Sequence, residues 1–563
     1  MTRDRNRPRT PGLLNVAAVG VVVTLVGTLA LGARQQPPPT VAEFAPQAVE
    51  QIEEALPEQA DPVGHPEGPG PPIQPGDPTP SEQPGDGATP DPTASPTPPV
   101  EQARVRRCVG DPPRQTEDPQ SPPCVPFFDG DNGGATWKGV TAGEIRIAMA
   151  RQGFGGASDE EVLALAEHFN RRYELYGRQI VVVFYEPIGG TFALPNPPDM
   201  IADAVKVDEE LGAFASLAYP DRRGAEHHHY DELARRGIIS SIFRGQSRGT
   251  TAGYQQQHPH QWNVLPASDR MLAQLGDITC TSLAGVPPQG GTFTATPVSP
   301  APEQRVFGLL SMRTPDGAAP PMDALRQQLG SCGVELAADI EGDEANPDGP
   351  NAVLAMQDAG VTTILYAGSP GPLKANYMSA ATNQGYLPEW VVSSFLDNDL
   401  DNTFHGAPAE QASNVLGVTF RDKLLPRRQM PWYWAIRESR PDLDPSGGVY
   451  YPIWARYQQL LQLASGIQLA GPRLTPETFA AGLQAASFPN PDAGAAPYFQ
   501  AAIDYSGDHT GIDSGALFWY STTAPGTVDP AFTGAVCYVD QGSRYGLGGY
   551  PAAPVAFFQE PCR

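Results

Sequence analysis

The chain has 563 residues, 63 of them Pro, and carries a formal net charge of −26 with only four Lys. That length exceeds one ordinary domain, and the acidity argues against a nucleic-acid partner, which would call for a basic face. Pro is concentrated between residues 35 and 100, which hold 19 Pro, 11 Asp or Glu and neither Lys nor Arg. Such a stretch cannot bury enough apolar surface to offset its ordering entropy and reads as an extended, disordered acidic linker.

In chain order, residues 1–12 form a basic tail with Arg3, Arg5, Arg7 and Arg9. Leu13–Ala33 is a 21-residue stretch without charge, long enough to cross a bilayer. The preceding Arg residues place the N-terminus in the cytoplasm and the bulk of the chain outside it. The segment reads as a transmembrane anchor or, if cleaved near Thr28-Leu29-Ala30, as a secretion signal. Residues 34–135 are assigned to the Pro-rich linker and 136–563 to the folded domain. Six Cys in an exported chain suggest three disulfides, and proximity favours Cys108–Cys124, Cys280–Cys332 and Cys537–Cys562. With no CxxC pair, no metal site is expected.

The folded part opens on a βαβ unit. Glu144–Ala150 alternates as a short strand does, and Gly153, Gly155 and Gly156 then break the chain into a loop. Ser158 with Glu161 is a capping box in front of an apolar helical stripe. Gln179–Tyr185 (QIVVVFY) is a β-branched run suited to a strand buried on both faces. The alternation continues with helices over 198–210 and 226–236 and strands over 213–218 and 237–243. A brief extended segment at 261–265 and a helix over 269–283 follow, and residues 285–303 read as a surface insertion. The pattern then restarts: strands at 305–312, 334–340, 362–367 and 390–394 alternate with helices at 322–332, 351–359 and 373–384. Helices over 430–439, 448–469 and 476–486 follow, the last capped by Thr475 with Pro476 at its first position, and a strand at 516–520 closes the set. Two successive sets of alternating strands and helices imply two α/β lobes with parallel sheets.

The order and spacing of these stretches resemble a known family. GVTAGEIRIAM, FNRRYELYGRQIVVVFYE, LGAFASLA, RGIISSIF, QDAGVTTILYAG, NQGYLPEWVVSS, YYPIWARYQQLLQLA, LTPETFAAGL and YSGDHTGIDSGALFWY are similar, in that order, to the type I periplasmic binding proteins of the leucine/isoleucine/valine-binding kind, the substrate-binding family of branched-chain amino acid ABC transporters. The resemblance runs from about residue 138 to about 520 and implies two Rossmann-like lobes joined by a three-segment hinge. It also implies a small-molecule ligand (an amino acid or related solute) in the cleft, an ABC transporter permease as possible partner, no cofactor and no catalysis. Ligand-binding candidates carried over are Gly153, Phe154 and Gly155; Ser216, Ala218 and Tyr219; Phe243 and Arg244; Tyr366 and Ser369; and Phe395 and Asp397. For an amino-acid ligand, Ser216–Tyr219 would hold the carboxylate and Asp397 the ammonium group. Arg244 departs from the Ser/Thr pairs common in amino-acid-binding members and would suit an anionic ligand.

Other patterns suggest other chemistry. Gly245-Gln246-Ser247-Arg248-Gly249 matches a nucleophile elbow, but residues 250–257 show no apolar stripe for the helix an elbow must enter, which disfavours an exported serine hydrolase. Gly153-x-Gly155-x-x-Ser158 lacks the third Gly of a dinucleotide fingerprint. His227-His228-His229 and His258-Pro259-His260 could supply metal ligands, yet neighbouring helical residues point about 100° apart, so a solvated helix face is expected for the first cluster. Asp504, Asp508 and Asp513 do not fit a calcium loop. The alternative to solute capture is a membrane-anchored surface interaction or sensor module with a degenerate cleft.

Overall fold

The computed structural model describes residues 108–151, 156–190, 196–217, 219–245, 249–290, 303–445, 449–488 and 500–562. The basic tail, the apolar Leu13–Ala33 segment and the acidic stretch 35–100 lie outside them. No helix among the described residues is long and apolar enough to cross a membrane.

The first lobe is built on five parallel strands, β1 (Glu144–Ala150), β2 (Gln179–Tyr185), β3 (Ala215–Leu217), β4 (Ile239–Ile242) and β5 (Gln261–Asn263), in the order β2-β1-β3-β4-β5. Between them run α1 (Asp159–Arg172), α2 (Pro197–Glu209), α3 (His227–Arg235) and α4 (Thr251–Gln256). Helix α1 begins where the sequence says it should: the Ser158 hydroxyl accepts from the Glu161 N–H and the Glu161 carboxylate accepts from the Ser158 N–H. Its apolar stripe, Val162, Leu165, Ala166 and Phe169, is buried. β2 corrects one expectation. It is the edge strand, and its residues are alternately half-buried rather than covered on both faces.

After β5 the chain crosses to a second lobe, where α5 (Ser268–Ile278) packs on α6 (Asp323–Ser331) and on two strands of the second sheet. That sheet holds β6 (Phe307–Arg313), β7 (Leu336–Asp343), β8 (Thr363–Ala367), β9 (Glu389–Ser393), β10 (Val415–Thr419), β11 (Gly515–Pro525) and β12 (Thr533–Tyr538) in the order β12-β11-β10-β9-β8-β6-β7, with β13 (Arg544–Tyr545) pairing on β11. β6 to β10 are parallel; β11 and β12 run antiparallel to their neighbours. β8, β9 and β10 are buried at every residue, as central parallel strands are. The chain returns to the first lobe beyond Arg421 through α7 (Pro431–Ser439) and the long α8 (Tyr450–Ala470), which pack on α1, β3 and β4. It leaves again after Thr510, which bridges to Asn263 at the end of β5. The two lobes are thus joined by three crossings.

β10 went unrecognised in the sequence because Gly417 interrupts its β-branched run. The glycine is required: a Cβ there would run into the Val392 carbonyl of the adjoining β9.

The pairs Cys108–Cys124, Cys280–Cys332 and Cys537–Cys562 are all formed. The first corrects the domain boundary drawn at residue 136. Gln115, Thr116, Asp118, Gln120 and Ser121 are buried. Gln120 donates to Asp422 at 2.8 Å and to the Ala501 carbonyl at 3.0 Å, while Asp118 accepts from the Tyr457 hydroxyl at 2.5 Å and from Gln500 at 2.8 Å. A segment that composition assigns to the linker is wedged among the hinge crossings and α8.

Candidate functional site

In open parallel sheets the loops at the carboxyl ends of the strands form the ligand crevice, and here charged side chains from both lobes meet there. Arg244, two residues beyond β4, points a guanidinium nitrogen at Asp397 (3.3 Å) in the second lobe, at Asp221 (3.4 Å) and at Glu226 (3.3 Å), the last two in its own lobe. Asp397 follows β9 and is aimed by an unusual backbone: Leu396 and Asp397 both have positive φ, 54° and 68°. For Leu this is a strained conformation, of the kind retained where it positions a functional group. Gly245 lets the lobes approach, since a Cβ on it would lie 3.1 Å from both the Leu396 nitrogen and the Phe395 Cα.

Arg421, two residues beyond β10, completes the cluster. It bonds Asp397 and Asp399 and donates to the Tyr451 hydroxyl at 3.2 Å. Its guanidinium carbon lies 5.7 Å from the Phe243 ring centre and 5.2 Å from that of Tyr451, within cation–π range. Asp399 also accepts from the Ser394 and Thr419 hydroxyls. Burial, the largest influence, pushes the Glu226 carboxyl up to about 7 although Arg244 draws it down. One Glu226 oxygen (Oε2) and the Nε atoms of Arg244 and Arg421 are buried without a hydrogen-bond partner among the described residues. Buried polar atoms ordinarily find partners, so these three mark places where a ligand could bond.

The expected site residues divide into three groups. Phe243, Arg244, Phe395 and Asp397 do come together at the junction of the lobes. Gly153, Phe154, Gly155, Ala218 and Ser247 lie outside the described residues. Ser216, Tyr219, Tyr366 and Ser369 are engaged elsewhere. Ser216 sits inside β3, paired with Ala148 and Ser240, rather than beyond its end. The buried Tyr219 donates to Asp203 at 2.6 Å and stacks on His229. Tyr366 is interior to the second lobe and donates to the Ser369 carbonyl at 2.8 Å, while the Ser369 amide donates to Glu344 at 2.6 Å. Arg244 and Asp397, expected to meet an anion and an ammonium group separately, face each other at 3.3 Å, and Asp397 is also bonded by Arg421. Glu226, Arg421 and Tyr451 were missed; recognising β10 would have put Arg421 at a strand's carboxyl end.

Two further expectations are corrected. Residues 251–256 do form a helix, α4, with Thr250 accepting from the Gly253 N–H as its cap. The histidines of α3 are not a solvated face: His227 and His229 are buried, and the His227 and His228 rings lie 3.3 and 2.9 Å from Asp316 of the second lobe.

No protein-family model matches the chain, and no curated protein matches it. Several solved structures are similar to it in fold. The branched-chain amino acid transporter substrate-binding protein LivJ from Streptococcus pneumoniae, in complex with isoleucine, is 12% identical over 70% of this chain and 99% of that one, with a TM-score of 0.44. A fatty acid ABC transporter substrate-binding protein from Thermomonospora curvata is 14% identical over 73% and 94%, with a TM-score of 0.48. A branched-chain amino acid ABC transporter structure from Thermus thermophilus with bound valine is 13% identical over 73% and 97%, with a TM-score of 0.48.

Proposed function

We propose that this chain is an extracytoplasmic solute-binding protein, held at the membrane through Leu13–Ala33, which takes an amino acid or related polar solute between its two lobes for delivery to an ABC importer. The observation that carries this reading is the convergence of Glu226, Arg244, Asp397, Arg421 and Tyr451 from both lobes on the carboxyl ends of the parallel strands of the two sheets. Buried donor and acceptor atoms there have no hydrogen-bond partner among the described residues. A solute with its own ammonium, amide or carboxylate groups would take up those atoms and partly replace the Arg244–Asp397 contact as the bridge between lobes. Closure would then follow from differential affinity for the joined arrangement, with motion at the three crossings. No covalent step is needed.

The test is thermal denaturation of the full chain against amino acids, small peptides, sugars and organic anions, with native mass spectrometry for retained solute. A ligand at 100-fold over its dissociation constant should add about 2.7 kcal/mol. Silence across the panel would overturn the reading. One observation favours a second reading, a surface sensor or interaction module with a degenerate cleft: the Arg244–Asp397 pair already joins the lobes with protein groups alone.

A further inference from the structure

The lobes also meet where α3 faces the turn after β6. His227 and His228 open α3 in the first lobe; Asp316 lies in the second, in a turn closed by the Gly317 N–H donating to the Thr314 carbonyl. His227 Nε2 is 3.3 Å and His228 Nε2 2.9 Å from the same Asp316 oxygen, and the donor atoms of all three residues lie within 4.8 Å of one another. We propose that His227, His228 and Asp316 bind one Zn²⁺ ion that clamps the two lobes together.

The geometry is close to what the ion needs. Ligand atoms about 2.0–2.1 Å from a tetrahedral Zn²⁺ stand about 3.3 Å from each other. The His227–Asp316 spacing of 3.3 Å already meets this, the His228–Asp316 spacing of 2.9 Å must open by tenths of an ångström, and the two imidazole nitrogens lie within 4.8 Å of each other. Adjacent residues of a regular helix diverge by about 100°, but at this helix start the His227 and His228 rings lie 4.1 Å apart with their planes 37° from one another. His229 turns the other way, with Nδ1 3.1 Å from the Met200 carbonyl, and takes no part. Two imidazoles and a carboxylate suit Zn²⁺ rather than the all-oxygen preference of Ca²⁺ or Mg²⁺. The Thr314 hydroxyl bonds the other Asp316 oxygen and fixes the carboxylate, as an outer-shell partner should. A cavity of about 510 Å³ lined by Pro197, His228, Asp316 and Gly317 gives access and room for water as fourth ligand.

Because its ligands come from both lobes, the ion binds tightly only when they are joined, and it shifts the open–closed balance by that difference. The site does not depend on solute capture. The test is titration of the full, chelator-stripped chain with Zn²⁺ alone, in competition with a chromophoric chelator. One Zn²⁺ per chain is expected, with Asp316→Asn and His228→Gln each weakening binding at least tenfold. His258→Gln, which disrupts the His258–His509 pair (3.0 Å), should leave binding unchanged. Circular dichroism of the metal-free variants shows that each is folded before it is compared. Failure of the wild-type chain to bind Zn²⁺ stoichiometrically, or full affinity in both folded variants, overturns the proposal. No solute enters the titration, so failure of the transport reading leaves its outcome unaffected.

Discussion

Arg244, beyond β4, lies 3.3 Å from Asp397, beyond β9, so the carboxyl ends of two separate sheets are tied by one ion pair. The pair belongs to a wider cluster, and its members differ in what they contribute. Arg244 and Asp397 lie at the lobe junction, whereas Arg421 and Asp399 are buried beneath it.

Arg421 is therefore the position whose loss the fold should feel most. Arg421→Met leaves the buried Asp399 without its cation, while Asp397 keeps Arg244. Stranding a buried charge in this way costs about 3–5 kcal/mol. Urea unfolding should show a loss of that size; a change below about 1 kcal/mol would mean that the hydroxyls of Ser394 and Thr419 suffice for Asp399.

Glu226 separates binding from stability. Glu226→Gln keeps an oxygen for the Arg222 N–H but cannot supply a negative charge to a solute. Affinity for whichever solute emerges from the panel should fall about tenfold, near 1.4 kcal/mol, with little change in the melting temperature of the solute-free chain. Equal affinity in calorimetric titration would place the solute away from Glu226.

The stability contributed by Asp422 and Asp401 should fall as pH rises from about 4 to about 7, against an opposite contribution from buried histidines such as His229 and His509, which burial keeps neutral. Burial pushes the Asp422 carboxyl up to about 7 and that of Asp401 up to about 6, from an ordinary 3.8. In that window these two carboxyls hold protons in the folded chain that they have released in the unfolded one, so for them each step up in pH favours unfolding. Asp422→Asn cannot ionise, so its stability relative to the wild-type chain should increase with pH across the same interval. Denaturant titrations at stepped pH measure both slopes, and parallel curves would show that Asp422 is already ionised at low pH.

Cys280–Cys332 closes a span of 52 residues and fastens the end of α5 to the end of α6. In the chain-entropy description a loop of that size contributes about 4 kcal/mol. Replacing both cysteines by Ser should lower the unfolding midpoint accordingly. An unchanged midpoint would mean that α5–α6 packing restrains the unfolded chain equally well.

Local order was largely legible in the sequence, and distant assembly was not. β1, β2, the Ser158 box and the Thr475–Pro476 start can be read because each is encoded within a few consecutive residues. The disulfides follow from proximity. Residues 115–121 mislead because Gln, Thr, Asp and Ser resemble solvated linker until Tyr457, Asp422 and Gln500, more than 300 positions away, supply their partners. The cluster escapes for the same reason: Glu226, Arg421 and Tyr451 carry no shared local pattern. Only the topology brings them to one place.

The Cys108–Cys124 loop has a mechanical consequence. Tension applied through the residues preceding Cys108 would be carried across the disulfide, which does not stretch, and into the Gln120–Asp422, Gln120–Ala501 and Asp118–Tyr457 contacts. Those contacts grip the crossings about which the lobes would turn. A pull applied at Cys108 would thus load the three crossings before either lobe.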